Sequence, residues 1–447
     1  MNSELVKILE SIVGAQHVRG DGEARGYAVD GMRPDVVVHP GHVEEVSAVL
    51  AACSRAKAAV VPWGHGCHMG LGKIPEKVGV VLGLGRLNRV IEHEPGDMTS
   101  TAQAGIVLGE YQSALGRHGQ FLSLDPPKAD RATIGGILAA NASGPRRVRY
   151  GTARDLLIGL RVAHADGTVT KGGAKVVKNV TGYDMNKLYV GSLGTLGVIV
   201  EATFRLYPIP ATERTWVAPF PAAVKAREAV AAILDSPLVP SAVELLSGTA
   251  AVEVGRVSGV PAGSKGPLLA LAVASVPEAV EAQLRAAREM GAKAGGGEGQ
   301  TLDGEAQRKF WAAVSDFDVG AGSVVLKASV PLTKVALAVD LGERLAARHG
   351  LQVAAIAEAG TGIVRFYLRA EDGGADRVAR FAEVVNSVRA FAAEAKGSLV
   401  VLDAPPEVKA AVDVWGPAGK GFALMQGLKT EFDPDRILSL GRFVGGL

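Results

Sequence analysis

One short stretch of the chain concentrates residue types that bind anions or metals. Residues 64–70, Gly-His-Gly-Cys-His-Met-Gly, follow a predicted strand at residues 58–62 and hold three glycines within seven positions. Glycine lets neighbouring backbone N–H groups converge on one anion, so this spacing favours a phosphate cradle over a flexible surface loop. His65, Cys67 and His68 also suggest a metal site, but their spacing is too tight for all three side chains to point the same way.

A second stretch has the pattern of a capped helix start. Thr133 precedes Gly135 and Gly136, and residues 133–140 predict a short helix. A threonine cap followed by two glycines predicts free backbone N–H groups that face outward, where they can bind a pyrophosphate or the edge of a planar ring. The Gly-Leu-Gly run that begins at Gly83 lacks the third glycine of a dinucleotide fingerprint, so we interpret it as a turn.

These stretches lie in a first half that opens with a β-α-β pattern. The predicted strand, helix and two further strands of this opening are residues 36–38, 43–57, 58–62 and 78–82. Residues 166–167, Asp-Gly, lie between two strand patterns and predict a hairpin. After residue 210 the chain changes to strand–helix passages, such as 268–276 followed by 280–290, which indicates a separate α+β region.

Composition limits the function classes. The chain has 447 residues, enough for two or three domains, and a net charge of +2, too small for a dedicated nucleic-acid binder. Its two cysteines, Cys53 and Cys67, cannot hold an iron–sulfur cluster or a cysteine-rich zinc site, and they suit a reducing cytoplasm. The N-terminal residues predict an amphipathic helix and not a signal peptide, and no apolar stretch is long enough for direct membrane insertion.

A family resemblance becomes specific at residues 178–200, which read KNVTGYDMNKLYVGSLGTLGVIV. With the loop at 64–70 and the helix start at 133–136, they resemble the FAD-binding domain of the family that includes vanillyl-alcohol oxidase and p-cresol methylhydroxylase. The resemblance covers roughly residues 30–210. It implies a two-domain α+β flavoprotein, in which a p-cresol methylhydroxylase-type FAD-binding domain is joined to an α+β cap domain with an antiparallel sheet. The implied FAD-binding residues are Gly64, His65, Gly66, Cys67, His68, Gly70, Pro126, Thr133, Gly135, Gly136, Asn141, Ser143, Gly144, Tyr150, Gly151, Gly194, Gly197 and Ile199.

Within this family the chain most resembles the FAD-binding E-type subunit of bacterial glycolate oxidase. The features that carry this resemblance are residues 142–151 (ASGPRRVRYG), 307–317 (QRKFWAAVSDF) and 415–443 (WGPAGKGFALMQGLKTEFDPDRILSLGRF). The last of them departs from the usual ending, because Ser439 and Leu440 stand where Asn and Pro are typical. Relatives with a covalent flavin have a histidine where this chain has Cys67, so the resemblance implies noncovalent FAD.

A further departure affects catalysis. Catalytic D-2-hydroxy-acid dehydrogenases of the superfamily have two metal-binding histidines in a stretch that matches Glu358–Arg365, and both histidines are absent here. The resemblance therefore implies no metal in this chain. Arg365 is the candidate catalytic residue, because its guanidinium can pair bidentately with a carboxylate. The alternative is an exposed strand arginine, and Lys327 is a similar candidate for the carboxylate.

The resemblance implies a FAD-dependent 2-hydroxy-acid (glycolate-type) dehydrogenase subunit. The alternative is a noncatalytic subunit that carries FAD or acts as a scaffold in the same complex. Implied partners are a D-type flavoprotein subunit and an iron–sulfur subunit, with a small hydroxy acid as substrate, in the cytoplasm at the inner face of the membrane. We expect a FAD-binding domain over residues 1–210, a cap over 211–410, and a C-terminal segment, 411–447, that returns to the first domain.

Overall fold

The structure, a computed structural model, describes residues 3–174, 183–261, 266–371, 374 and 376–447. Within these residues the chain forms two compact units. The first consists of Met1–Ser143, Thr152–Ile209 and Pro417–Leu447, and the second of Gly144–Gly151 and Pro210–Gly416. Residues 178–182 of the sequence motif at 178–200 lie outside the described residues.

The first unit begins with a mixed sheet. Its strands are β1 (Val18–Gly20), β2 (Val36–Val38), β3 (Val60–Trp63) and β4 (Val80–Gly83), and its helices are α1 (Ser3–Val13) and α2 (Val43–Arg55). The strand order is β1-β2-β4-β3, with β2 and β3 both parallel to β4. Val46, Val49 and Leu50 on one face of α2 are fully buried, because the apolar residues recur at helical spacing. The predicted β-α-β opening is present.

The second sheet of this unit is antiparallel. Its strands are β5 (Val90–Glu94), β6 (Thr99–Gln103), β8 (Leu157–Ala163), β9 (Val169–Gly173) and β10 (Val198–Arg205). Their order is β5-β6-β10-β8-β9. The predicted Asp-Gly hairpin joins β8 to β9, and Gly167 has the positive φ of +90° that this turn requires. The remaining elements are α3 (Leu108–Gly116), β7 (Gln120–Phe121), α4 (Ile134–Ala140), α5 (Arg147–Tyr150), α6 (Ala153–Leu156), α7 (Asn186–Tyr189) and β11 (Tyr207–Pro208).

The second unit is built on one large antiparallel sheet. Its strands are β12 (Thr212–Pro219), β13 (Ala242–Leu246), β14 (Leu268–Ser275), β15 (Gln300–Leu302), β16 (Val324–Ser329), β17 (Leu351–Glu358), β18 (Ile363–Ala370) and β19 (Ser398–Asp403). Among the described residues their order is β15-β12-β14-β13-β17-β18-β16-β19. The helices are α8 (Ala223–Leu234), α9 (Gly248–Ser258), α10 (Pro277–Lys293), α11 (Gly304–Ser315), α12 (Val335–Arg348), α13 (Arg377–Glu394) and α14 (Pro406–Ala411). The last helix of the chain, α15 (Phe422–Phe432), belongs to the first unit.

The two faces of the large sheet differ in chemistry. One face carries an apolar core with α8, α10, α12 and α13, to which β18 contributes Val364, Phe366 and Leu368. On the other face the alternate residues of β18 are Arg365, Tyr367 and Arg369, because successive side chains of a strand point to opposite sides. Helices α9 and α11 pack on part of this second face through apolar residues. We call the part that carries Glu244, Lys327, Glu358 and Arg365 the polar face.

Residues 144–151 join the second unit although they interrupt the sequence of the first. Arg146 forms an ion pair of 3.0 Å with Glu213, and Arg149 donates a hydrogen bond of 2.9 Å to the carbonyl oxygen of Ala274. These arginine contacts explain why residues 144–151, which the sequence places in the first domain, cluster with the second unit.

Candidate functional site

The first unit contains a cavity where three separate segments meet. They are the loop at 64–70 that follows β3, the start of α4, and the glycine-rich turn that leads into β10. The residues selected from the sequence that line it are Gly64, His65, Gly66, Cys67, His68, Thr133, Gly135, Gly136, Gly194, Gly197 and Ile199. Segments far apart in the chain thus form one cavity.

The other selected residues lie elsewhere. Gly70, Pro126 and Ser143 are not among the residues that line the cavity, and Asn141 ends α4 with a φ of +47°. The remaining three, Gly144, Tyr150 and Gly151, belong to the segment that clusters with the second unit.

The loop at 64–70 has the backbone arrangement of an anion cradle. Within the described part of the chain, the N–H groups of His65, Gly66 and His68 donate no hydrogen bond. Gly66 has a φ of +77°, and its carbonyl oxygen accepts a hydrogen bond from the N–H of Met69, which closes the turn. Unused N–H groups on a glycine turn are the donors that a phosphate requires.

The start of α4 differs from the prediction. Thr133 does cap the helix, and its Oγ1 accepts a hydrogen bond from the N–H of Gly136 at 3.3 Å. The N–H groups of Ile134 and Gly135, however, donate to the carbonyl oxygens of Ile106 and Ala104 at 3.0 and 2.7 Å. The prediction of free N–H groups at this helix start was therefore wrong, because the preceding chain satisfies them.

Glycine at these positions permits close packing. A Cβ atom on Gly64 would lie 2.2 Å from Oγ1 of Thr133, and one on Gly135 would lie 2.9 Å from Cβ of Ala104. A Cβ atom on Gly194 would lie 2.9 Å from Cγ of Pro62. In the walls of the cavity, the backbone of these glycines therefore packs directly against neighbouring side chains. A methyl group at any of them would force the two apart.

His68 supplies an unused ring nitrogen to the cavity. Its Nε2 atom is buried and has no hydrogen-bond partner among the described residues. Burial, with a smaller contribution from Lys128, lowers the pKa of His68 to about 4. The imidazole is therefore neutral at physiological pH and can donate or accept one hydrogen bond to a ligand.

Arg442 is a cavity residue that the sequence analysis missed. It comes from the C-terminal segment and is only 3% exposed. Its Nη2 atom donates to the carbonyl oxygens of Met69 and Leu71 at 2.7 and 2.5 Å. Burial lowers the pKa of Arg442 to about 10, which leaves the guanidinium positively charged at neutral pH. The Gly-Arg-Phe ending was the available signal, but Ser439 and Leu440 interrupt the pattern expected around it.

The polar face of the second unit carries the other candidate residues. Nη2 of Arg365 lies 2.7 Å from Oε1 of Glu358, and the Arg365 side chain is only 13% exposed. The alternative of an exposed strand arginine was therefore wrong. Lys327 on β16 pairs directly with Arg365 on β18, and Glu244 on β13 pairs with Glu358 on β17.

Lys327 differs from Arg365 in its charge environment. It is half-buried, and among the described residues no carboxylate lies within ion-pair distance of its Nζ atom. Burial lowers the pKa of Lys327, and the positive charges of Arg365 and Arg147 lower it further, while Glu358 raises it. The polar face thus holds a cation whose electrostatic environment favours an anionic ligand.

The Glu358–Arg365 pair does not fit a metal ion, since a guanidinium has no lone pair to donate to one. Across the described residues, no cluster of three or more His, Cys, Asp and Glu side chains has the proximity needed to hold a metal. None of the helices that the structure describes has both the length and the apolar character to cross a bilayer.

Comparisons of sequence identify relatives along almost the whole chain. Residues 34–173 match the family described as FAD binding domain, and residues 209–401 match the C-terminal domain of FAD linked oxidases. D-lactate dehydrogenase of Archaeoglobus fulgidus is 30% identical over 446 residues, which cover 99% of this chain and 98% of the relative. Glycolate oxidase subunit GlcD of Bacillus subtilis is 28% identical over 419 residues, which cover 92% of this chain and 88% of the relative.

Solved structures share the fold. p-Cresol methylhydroxylase has a TM-score of 0.74 at 17% identity, with 98% of this chain and 96% of that chain covered. Alkyldihydroxyacetonephosphate synthase has a TM-score of 0.75 at 18% identity, with 98% and 86% covered. The two-domain α+β fold and the family resemblance inferred from the sequence are confirmed.

The cavity fits the cofactor of this family. Unused N–H groups of the loop at 64–70, together with the guanidinium of Arg442, suit the negative charge of a pyrophosphate, and the free Nε2 atom of His68 suits a polar ligand atom. These residues would therefore hold FAD, the cofactor of the matched FAD binding domain. The chain belongs to the FAD-linked oxidase family of flavoprotein oxidoreductases.

Proposed function

We propose that this chain is a FAD-dependent 2-hydroxy-acid dehydrogenase subunit of glycolate type, which passes electrons to a partner iron–sulfur subunit. The observation that carries the proposal is the half-buried Lys327, which has no carboxylate partner among the described residues and lies beside Arg365. A carboxylate ligand would complete this arrangement. The names of the relatives, glycolate oxidase subunit and D-lactate dehydrogenase, support a 2-hydroxy acid as that ligand.

The residues of the polar face have distinct roles in this proposal. Lys327 binds the substrate carboxylate by a charge-assisted hydrogen bond. Glu358 pairs with Arg365 and fixes the orientation of its guanidinium beside Lys327. When bound, FAD supplies the acceptor for the hydride that leaves the α-carbon, while the hydroxyl proton is released and a 2-oxo acid forms.

The electrons leave the reduced flavin either to oxygen or to another protein, and we propose the second route. Oxidation of one hydroxy acid releases two electrons, and the two cysteines of this chain cannot hold an iron–sulfur cluster. We therefore propose a hetero-oligomer with an iron–sulfur subunit and a D-type flavoprotein subunit, which would hold the chain in the cytoplasm at the inner face of the membrane. Affinity purification from the native host should recover a cysteine-rich companion. A fully active chain that purifies alone would contradict the hetero-oligomer.

A noncatalytic subunit that carries FAD is the second candidate. The ion pair of Glu358 and Arg365 favours it, because both residues stand where catalytic relatives are expected to bind a metal.

The proposed noncovalent attachment of FAD applies to both candidates. Acid precipitation should release all of the yellow colour, and flavin that stays with the precipitated chain would show covalent attachment.

Anaerobic reduction of the isolated chain separates the two candidates. Addition of glycolate or D-lactate to the flavin-loaded chain should bleach the visible absorbance of the flavin if the chain oxidises hydroxy acids itself. No bleaching with either acid, together with turnover by the complete complex, would refute catalysis by this chain and support the noncatalytic role.

Lys327→Met tests the carboxylate site. We expect the substrate concentration for half-maximal bleaching to rise about 10- to 100-fold, the value of one charge-assisted hydrogen bond. Lys334→Met is the matched control, because Lys334 is exposed in the same unit and should leave this concentration unchanged. Equal behaviour of the two variants would exclude Lys327 from substrate binding.

A further inference from the structure

The C-terminal segment is attached to both sides of the loop at 64–70. Before the loop, the N–H of Val60 donates to the carbonyl oxygen of Ile437 at 2.7 Å, and the N–H of Ser439 donates to the carbonyl oxygen of Val60 at 2.8 Å. After the loop, the N–H of Lys73 donates to the carbonyl oxygen of Arg442 at 3.0 Å. We call residues 437–443 the tail strap, and it spans the two ends of the loop.

The side chain of Arg442 extends this attachment into the loop itself. Its guanidinium holds the carbonyl oxygens of Met69 and Leu71, which places a positive charge at the cavity wall. Gly72 lies against the same residue, because a Cβ atom there would be 2.8 Å from the carbonyl oxygen of Arg442. Arg442 therefore links the shape of the loop to the docking of the tail strap.

We propose that Arg442 is a positioning residue that couples FAD binding to docking of the tail strap. Docking of the strap places the guanidinium at the cavity and fixes the loop whose free N–H groups receive an anion. Binding of FAD must then stabilise the docked strap by the same free energy that the strap contributes to FAD binding, because linkage is reciprocal. The proposal depends on the cofactor and not on the identity of the substrate.

Hydrogen exchange of the wild-type chain, measured by mass spectrometry with and without FAD, gives the first test. Amides of residues 437–443 and 66–73 should exchange at least about tenfold more slowly when FAD is present, since the bound ligand suppresses local opening. Exchange of residues 437–443 that is unchanged by FAD would overturn the proposal.

Variants give the second test, by titration of the apoprotein with FAD. Arg442→Gln should raise the dissociation constant of FAD about tenfold or more, and FAD should no longer slow exchange in the tail strap. Arg442→Lys, which keeps the charge, should recover part of the affinity. Arg436→Gln is the matched control, because Arg436 is half-exposed in the same segment and pairs loosely with Glu76 at 3.5 Å.

A structural role of Arg442 alone would give a different result. If Arg442→Gln only loses stability, the melting temperature of the apoprotein falls, and the increase in melting temperature on addition of FAD stays as in the wild-type chain. That result would refute the coupling. Our proposal requires that increase to shrink in Arg442→Gln and to persist in Arg436→Gln. If Arg442→Gln does not fold, Arg442→Lys and the wild-type exchange experiment decide the outcome.

Discussion

Lys429→Met is expected to be among the most destabilising single substitutions in the first unit. The Lys429 side chain is 4% exposed and its Nζ atom donates to Oδ2 of Asp433 at 2.5 Å. It also donates to the carbonyl oxygens of Thr195 and Leu438 at 2.9 and 2.8 Å. All three ammonium hydrogens are used, so the lysine joins α15, the turn before β10 and the tail strap.

Removal of the lysine leaves a buried carboxylate without its counterion. Asp433 is fully buried and would keep only the N–H donors of Ile437 and Leu438, both at 2.9 Å. Loss of one partner from a buried ion pair costs about 3–5 kcal/mol. In a unit of this size, that corresponds to a fall in melting temperature of roughly 6–20 °C.

The assay is thermal unfolding followed by circular dichroism at neutral pH, with Lys420→Met as the control because Lys420 is exposed in the same segment. The double variant Lys429→Met with Asp433→Asn should be more stable than Lys429→Met alone, since the uncompensated charge is gone. A decrease in melting temperature smaller than about 2 °C for Lys429→Met would refute the reasoning, and so would a double variant no more stable than Lys429→Met.

Two further predictions concern the cavity. Between pH about 4 and 6.5, the stability of the apoprotein should rise with pH, because in this window the unfolded chain binds a proton at His68 that the folded chain does not. His68→Gln should flatten this dependence in denaturant titrations, whereas substitution of the exposed His65 should not; a slope unchanged by His68→Gln would contradict the assignment. Gly64→Ala should weaken FAD binding at least about tenfold in fluorescence titrations, because its Cβ would overlap the Oγ1 atom of Thr133, and undiminished affinity would show that the loop can move aside.

Local features of the site could be predicted from the sequence because their determinants are neighbours in the chain. Thr133 caps α4 as expected, since the bonded N–H lies three residues away. Whether the N–H groups of Ile134 and Gly135 are free could not be predicted in this way. Their acceptors, Ala104 and Ile106, approach from a distant segment, and no pattern at residues 133–136 records that approach.

The features that could not be predicted depend on contacts between residues far apart in the chain. Arg442 contacts Met69 across 373 positions, so only the folded chain reveals it as a cavity residue. The transfer of residues 144–151 to the second unit likewise depends on the partner of Arg146, Glu213, which is 67 positions away. Single arginines in a charge-balanced sequence carry no signal of which carboxylate they will meet.

The attachment of the tail strap has a consequence for synthesis in the cell. β3 is at the edge of its sheet, and its outer side pairs with Leu438 through a parallel bridge at Val60. A ribosome adds about 5–20 residues per second, so roughly 20–75 s separate the emergence of β3 from that of its last neighbour. During this interval the nascent edge strand keeps unpaired N–H and C=O groups, which makes it a place where chaperones would engage the chain and where premature termination would leave an aggregation-prone edge.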